Sequence, residues 1–185
     1  MTADNPRPSN VFSLAQRLLN PVLRHWPWVA LAVCLAVLAA AHAFETFGRL
    51  APCELCLKAR GVYWAAAAVA GVLGVLRLTP LKPSPWANLL LAAIFVGGAA
   101  LGVYHSGVEW HFWPGPKSCT GGNVQVSLAD MTRLLHGGPV AAPACDKASW
   151  RLFGLSMAGW NVLISLKLAV YSVLAAQMAK PEARP

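Results

Sequence analysis

Residues 52–60 read PCELCLKAR, in which Cys53 and Cys56 stand three positions apart and Arg60 follows four positions after the second. A C-x-x-C can close a small disulfide ring or bind a metal. Leu57, not histidine, follows Cys56, which argues against c-type haem attachment. Zinc would require two further ligands. Cys119 and Cys145 could supply them, but they lie 26 positions apart, whereas structural zinc sites usually offer a second tight pair, so no metal is expected. If a helix begins near Cys56, its N-terminus, Arg60 one turn later and the nearby Lys58 all favour a thiolate there. A stabilised thiolate is a good leaving group and electron donor. On the motif alone, Arg60 reads equally well as a side chain snorkelling to lipid headgroups.

The second pair, Cys119 and Cys145, encloses a stretch carrying Gly121, Gly122, Gly137, Gly138, Pro139 and Pro143. As a permanent staple, a disulfide here would stabilise the loop by about 3 kcal/mol. Glycine and proline at this density do not build a rigid packed domain, which favours an exchangeable disulfide on a loop that moves.

These residues are set in a chain that is 57% hydrophobic and only 12% charged, with a mean hydropathy of +0.51. A chain of 185 residues cannot bury that much apolar surface in a water-soluble globule. The net charge of +8 is dispersed along the chain and flanks apolar runs, which suits lipid headgroups better than nucleic acid. Four apolar segments emerge: Trp26–Phe44 (19 residues), Gly61–Leu76 (16), Trp86–Tyr104 (19) and Leu152–Ala179 (28, interrupted only by Lys167). A helical span needs about 20 residues, and unpaired backbone is too costly in lipid for any open alternative. The expected fold is therefore an all-α, four-transmembrane-helix bundle. Trp26, Trp28, Trp86, Tyr104, Trp110 and Trp113 sit near segment ends, as an aromatic belt requires.

Residues 1–25 read as a polar N-terminal arm with one short helix around Val11–Leu19, residues 26–179 as the membrane domain, and 180–185 as a tail. The first apolar run ends in Ala41-His42-Ala43, but its long lead and spanning length favour an uncleaved helix over a signal peptide. Counting Lys and Arg leaves the two sides tied at seven each, with a lean to a cytoplasmic N-terminus from Arg17 and Arg24. Parity says more. With four spans, the breaks at about 45–58 and 105–151 face one compartment, so Cys53, Cys56, Cys119 and Cys145 share it. Disulfides that cycle there imply the periplasm or cell exterior. Within the larger break, SLADMTRLLHGG reads as a short amphipathic helix: Ser127 caps it, Asp130 completes a capping-box pattern and Gly137 ends it. It would lie on the membrane surface, the alternative being a helix packed on the other loop.

Two dithiols in series, one on a mobile loop and one at the membrane, make an electron relay. Its outlet must be lipid-soluble, and a quinone fits. The rival readings are a reductase running the relay in reverse and a non-catalytic membrane protein with two structural disulfides.

PCELCLKAR, YHSGVEWHFWPGPKSC (residues 104–119) and CDKASWRLFGLSMAGW (145–160) together resemble the bacterial disulfide bond formation protein B (DsbB-like) family, over roughly residues 26–178. The vitamin K epoxide reductase family has a similar bundle, but places its C-x-x-C after the loop pair. The resemblance implies a quinone-dependent protein-disulfide oxidoreductase of the bacterial inner membrane, with both termini cytoplasmic and a periplasmic DsbA-like, thioredoxin-fold partner. It implies that the partner attacks Cys119 of a Cys119–Cys145 disulfide and that Cys145 then attacks Cys53. Cys56 is released facing ubiquinone or menaquinone, with Arg60 and His105 at the quinone site. Met157 matches a position lining that site, although a core methionine is the plainer reading. The family usually carries Glu or Gln before the arginine, where this chain has Ala59. Lys167 is read as a snorkelling or seam-facing charge and Cys34 as a small buried apolar residue.

Overall fold

The computed structural model describes residues 19–48, 50, 52–80, 84–116, 145–148 and 150–178. Cys119, the helix expected at Ser127–Gly137, most of the N-terminal arm and the C-terminal tail lie outside the described residues. Four helices are long and apolar enough to cross a membrane: α1 (Trp26–Thr46), α2 (Glu54–Leu76), α3 (Pro85–Glu109) and α4 (Met157–Met178). They form the four-transmembrane-helix bundle expected from the hydropathy pattern. A short helical turn at 19–24 precedes α1.

Local chemistry explains the helix starts. Proline stands in the first turn of both α1 and α3, where its missing N–H leaves no extra orphan. Cys53 is the N-cap of α2, and its sulfur accepts a hydrogen bond from the Cys56 backbone N–H at 3.2 Å.

Three boundaries differ from the hydropathy reading, and the second span begins at Glu54 and not at Gly61. The third span continues past Tyr104 to Glu109. It ends in a Schellman motif, in which Phe112 N–H bonds the Gly107 carbonyl at 2.9 Å and His111 N–H bonds the Val108 carbonyl at 3.1 Å. His111 takes the left-handed conformation, φ 60°, a place more often given to glycine. The fourth apolar segment begins not as helix but as a hairpin, β1 (Arg151–Leu152) paired antiparallel with β2 (Leu155–Ser156). Phe153 and Gly154 form its two-residue turn with φ of 50° and 81°, the signs of a type I′ turn.

α4 packs most extensively on α3, while α1 packs on α2 and α2 on α3. Gly98 and Gly102 line the α3 face that meets α4. A Cβ on Gly102 would fall 2.9 Å from a Val162 methyl and 3.2 Å from its backbone nitrogen. Small residues four apart let helix backbones approach closely in lipid. Gly102→Val is therefore expected to destabilise the bundle by about 1–3 kcal/mol, the usual cost of overpacking. The midpoint of thermal unfolding in detergent measures it, and an unchanged midpoint would show that this contact is loose.

Polar side chains inside the bundle meet one another. Tyr63 Oη donates to Asn161 Oδ1 at 2.9 Å and lies 3.1 Å from Ser165 Oγ. Trp26, placed in the aromatic belt by the sequence, is instead 2% exposed. Its indole N–H donates to Ser172 Oγ at 2.9 Å and its ring packs on Tyr171. Burial was available to it because α4 offers a hydroxyl at the right height. Trp86 and Trp110 are exposed. Cys34 is buried in the helix core, as its apolar reading expected. Lys167 is exposed on α4.

Candidate functional site

The sequence motifs converge on one cavity of about 340 Å³, bounded by the end of α1, the start of α2, the end of α3 and the hairpin leading into α4. Cys53, Cys56, Arg60, His105, Glu109 and Cys145 all line it. Its volume falls at the small end of ordinary ligand pockets.

Cys53 and Cys56 are free thiols with their Sγ atoms 2.7 Å apart. Cys53 is buried and Cys56 is half-buried. The Cys56 sulfur and burial together push the Cys53 thiol above the ordinary thiol range. His105 Nε2 lies 3.7 Å from the Cys53 sulfur. Cys145 is disulfide-bonded. It packs with Cys53, Leu55 and Val108 in a buried cluster, with Cys56 against it. Two of the sulfurs expected from separate loops are thus neighbours, while the fourth, Cys119, lies outside the described residues.

Arg60 is not stretched toward a membrane surface. Its side chain is 15% exposed and pairs with Glu45 Oε2 at 2.6 Å. A second nitrogen donates to the Ala41 carbonyl at 3.1 Å, in the last turns of α1, where the helix dipole favours a cation. Lys58 is taken up by Glu54, 2.7 Å away one turn earlier, whereas Arg60 and Lys147 both line the cavity. Ala59 also lines the wall. The carboxylate beside Arg60 is supplied by another helix, through Glu45.

Glu109 was missed by the sequence reading. It sits one turn after His105 on α3, with Oε1 3.8 Å from His105 Nε2 and a side chain only 5% exposed. The Ser156 hydroxyl of the hairpin meets its carboxyl. Its Oε2 is buried and has no hydrogen-bond partner among the described residues. The i, i+4 spacing of His105 and Glu109 was a visible signal, but only for a reader who carried the helix beyond Tyr104. Glu45 had no such signal, since it is 15 positions from Arg60 and on a different helix. Met157 lines the same cavity, as does Asn161. The ligating atoms of Cys53, Cys56 and His105 lie within 4.8 Å of one another, a different trio from the four cysteines considered for zinc.

The model of the family of disulfide bond formation protein DsbB matches residues 23–175, which hold the first three spans, nearly all of the fourth and every residue lining this cavity. The chain belongs to the DsbB family. Disulfide bond formation protein B of Dechloromonas aromatica (strain RCB) is 32% identical over 143 residues, covering 76% of this chain and 84% of the relative. The protein of the same name from Methylococcus capsulatus (strain ATCC 33009 / NCIMB 11132 / Bath) is 30% identical over 148 residues, covering 76% and 86%. Disulfide bond formation protein B 2 of Pseudomonas entomophila (strain L48) is 29% identical over 157 residues, covering 80% and 86%. This DsbB-family protein is accordingly a multi-pass membrane protein of disulfide bond formation. The cavity joins its cysteine pair to a half-buried guanidinium, an imidazole and a carboxyl.

Proposed function

We propose that the protein reoxidises a periplasmic, DsbA-like thioredoxin-fold dithiol oxidase and passes the two electrons to membrane quinone. The observation that carries this reading is the packing of disulfide-bonded Cys145 against Cys53 at the wall of the Arg60 cavity. The family resemblance pairs Cys145 with Cys119. The partner's thiolate attacks Cys119 and breaks that disulfide. Freed Cys145 attacks Cys53 of the oxidised Cys53–Cys56 pair, and Cys56 leaves as a thiolate. Each exchange makes one S–S bond and breaks one. Across the cycle, two electrons and two protons leave the partner dithiol.

The cavity's chemistry fits a quinone head group, with apolar walls from α1 and α4 and polar groups converging from Arg60, His105 and the buried Glu109 oxygen. When bound, ubiquinone or menaquinone would supply the two-electron acceptor. Arg60 holds positive charge at the wall, and Glu45 and the Ala41 carbonyl hold Arg60 in place. The reading sets the protein in the bacterial inner membrane, with residues 1–25 and 180–185 cytoplasmic and the loops at about 45–58 and 105–151 periplasmic. The membrane domain runs over 26–179.

The test uses purified protein, a reduced partner dithiol and a ubiquinone analogue, with quinone absorbance as the readout. Partner-dependent loss of the oxidised quinone band is expected. Absence of quinone reduction would overturn the proposal, and electron flow only from quinol to partner disulfide would establish the reverse reaction.

A further inference from the structure

We propose that the reduced Cys53–Cys56 pair and His105 form a binding site for a borderline-soft divalent cation of the zinc and cadmium class. The site uses the relay's own sulfurs in their reduced state and needs no quinone. Two thiols at the start of α2 and an imidazole near the end of α3 place three ligating atoms within 4.8 Å of one another. Thiolate and imidazole are the donors such cations select.

The spacing suits a tetrahedron. Metal–sulfur and metal–nitrogen bonds of about 2.3 Å and 2.0 Å give a sulfur–nitrogen edge of about 3.5 Å. Cys53 Sγ and His105 Nε2 are already 3.7 Å apart. The sulfur–sulfur edge should be about 3.8 Å. The present 2.7 Å opens by rotation of Cys56, the half-buried member of the pair.

The fourth position has a candidate of its own. Glu109 reaches within 3.8 Å of the same His105 nitrogen. Its second oxygen is buried in the cavity wall without a partner among the described residues. A carboxylate beside the ligating imidazole is an ordinary fourth ligand for zinc, and Glu109, which stands outside the 4.8 Å trio, reaches it by turning its side chain toward the sulfurs. The Cys56 backbone N–H donating to Cys53 Sγ is the kind of outer contact that orients a thiolate ligand.

Binding is balanced without electron transfer. Two thiols and one cation give a dithiolate complex and release two protons. Oxidation of the pair to a disulfide removes both thiolates, so the site exists only in the reduced protein. Metal occupancy and disulfide formation at Cys53–Cys56 therefore exclude each other.

The experiment uses the full chain in detergent, carrying Cys119→Ser and Cys145→Ser so that the loop sulfurs cannot contribute. The protein is reduced with a phosphine without oxygen and titrated with Cd²⁺ alone, and the ultraviolet thiolate-to-cadmium band is followed. One Cd²⁺ per chain with the intensity of two thiolates is expected, and none in the oxidised protein. Adding His105→Ala should weaken binding by at least about tenfold. Binding that ignores His105→Ala, or persists in the oxidised protein, would overturn the site. A second measurement needs no substitution: X-ray absorption of the reduced natural chain loaded with zinc. A first shell of two sulfurs with nitrogen and oxygen is expected, and a four-sulfur shell would overturn the assignment.

Discussion

Cys56→Ser is expected to abolish quinone reduction while leaving the disulfide at Cys145 formed. The two outcomes separate because the two sulfur pairs have separate tasks in the proposed relay. Cys56 is the half-buried sulfur of its pair, whereas Cys53 is buried against Cys145. Serine keeps the size of the side chain but cannot form an S–S bond, and its hydroxyl is a far weaker nucleophile than a thiol. Turnover should fall by at least about 10³-fold, the scale on which loss of a covalent nucleophile is felt. The fold should survive, because the N-cap of α2 is the Cys53 sulfur and its bond comes from the backbone N–H of residue 56. Quinone absorbance reads the first outcome. Alkylation before and after reduction, followed by mass spectrometry, reads the second. Normal turnover by this variant would dismantle the relay.

Arg60→Ala is expected to raise the apparent KM for quinone by about ten- to a hundredfold, with a smaller effect on kcat. Hydrogen bonds to charged groups contribute about 1.5–3 kcal/mol, which corresponds to that range. The guanidinium lies on the cavity wall and is largely shielded from water, so its charge is weakly screened. Its removal also strips Glu45 of its cation and leaves the Ala41 carbonyl without that donor. Glu45→Gln separates the two effects. It keeps a hydrogen-bond acceptor beside Arg60 and removes only the negative charge, so a KM rise of a few-fold is expected. Steady-state kinetics over a range of quinone concentrations checks both variants. An unchanged quinone dependence in Arg60→Ala would reduce Arg60 to a structural tie between α1 and α2.

Much of this molecule was readable along the chain. Membrane crossing depends on the length of an apolar run, which is a local property, so four spans could be counted from hydropathy. Parity put the cysteine-bearing breaks at one end of the bundle, and Cys53, Cys56 and Cys145 do line one cavity. The sequence reading considered a start for the second helix near Cys56, and the structure puts its N-cap three positions earlier, at Cys53. The end of the third span and the start of the fourth were not legible. His111 takes a left-handed position that glycine usually marks, and Phe153 takes one in the hairpin turn. Neither residue type announces such a conformation. Trp26 shows the same limit in the core. Its composition and position suit a membrane interface, and only the approach of Ser172 across the bundle made burial possible.

The sequence by itself determined the membrane architecture, the C-x-x-C and the family, because each rests on residue types and spacings within short stretches. Tertiary structure alone decided what surrounds the sulfurs. Glu45 meets Arg60 across two helices, Glu109 meets His105 only because α3 runs on, and Cys145 meets Cys53 across most of the chain. The physical reason is that a helix sets its own length and faces, but not which neighbour it packs against. The charge that a buried group encounters is a property of that packing.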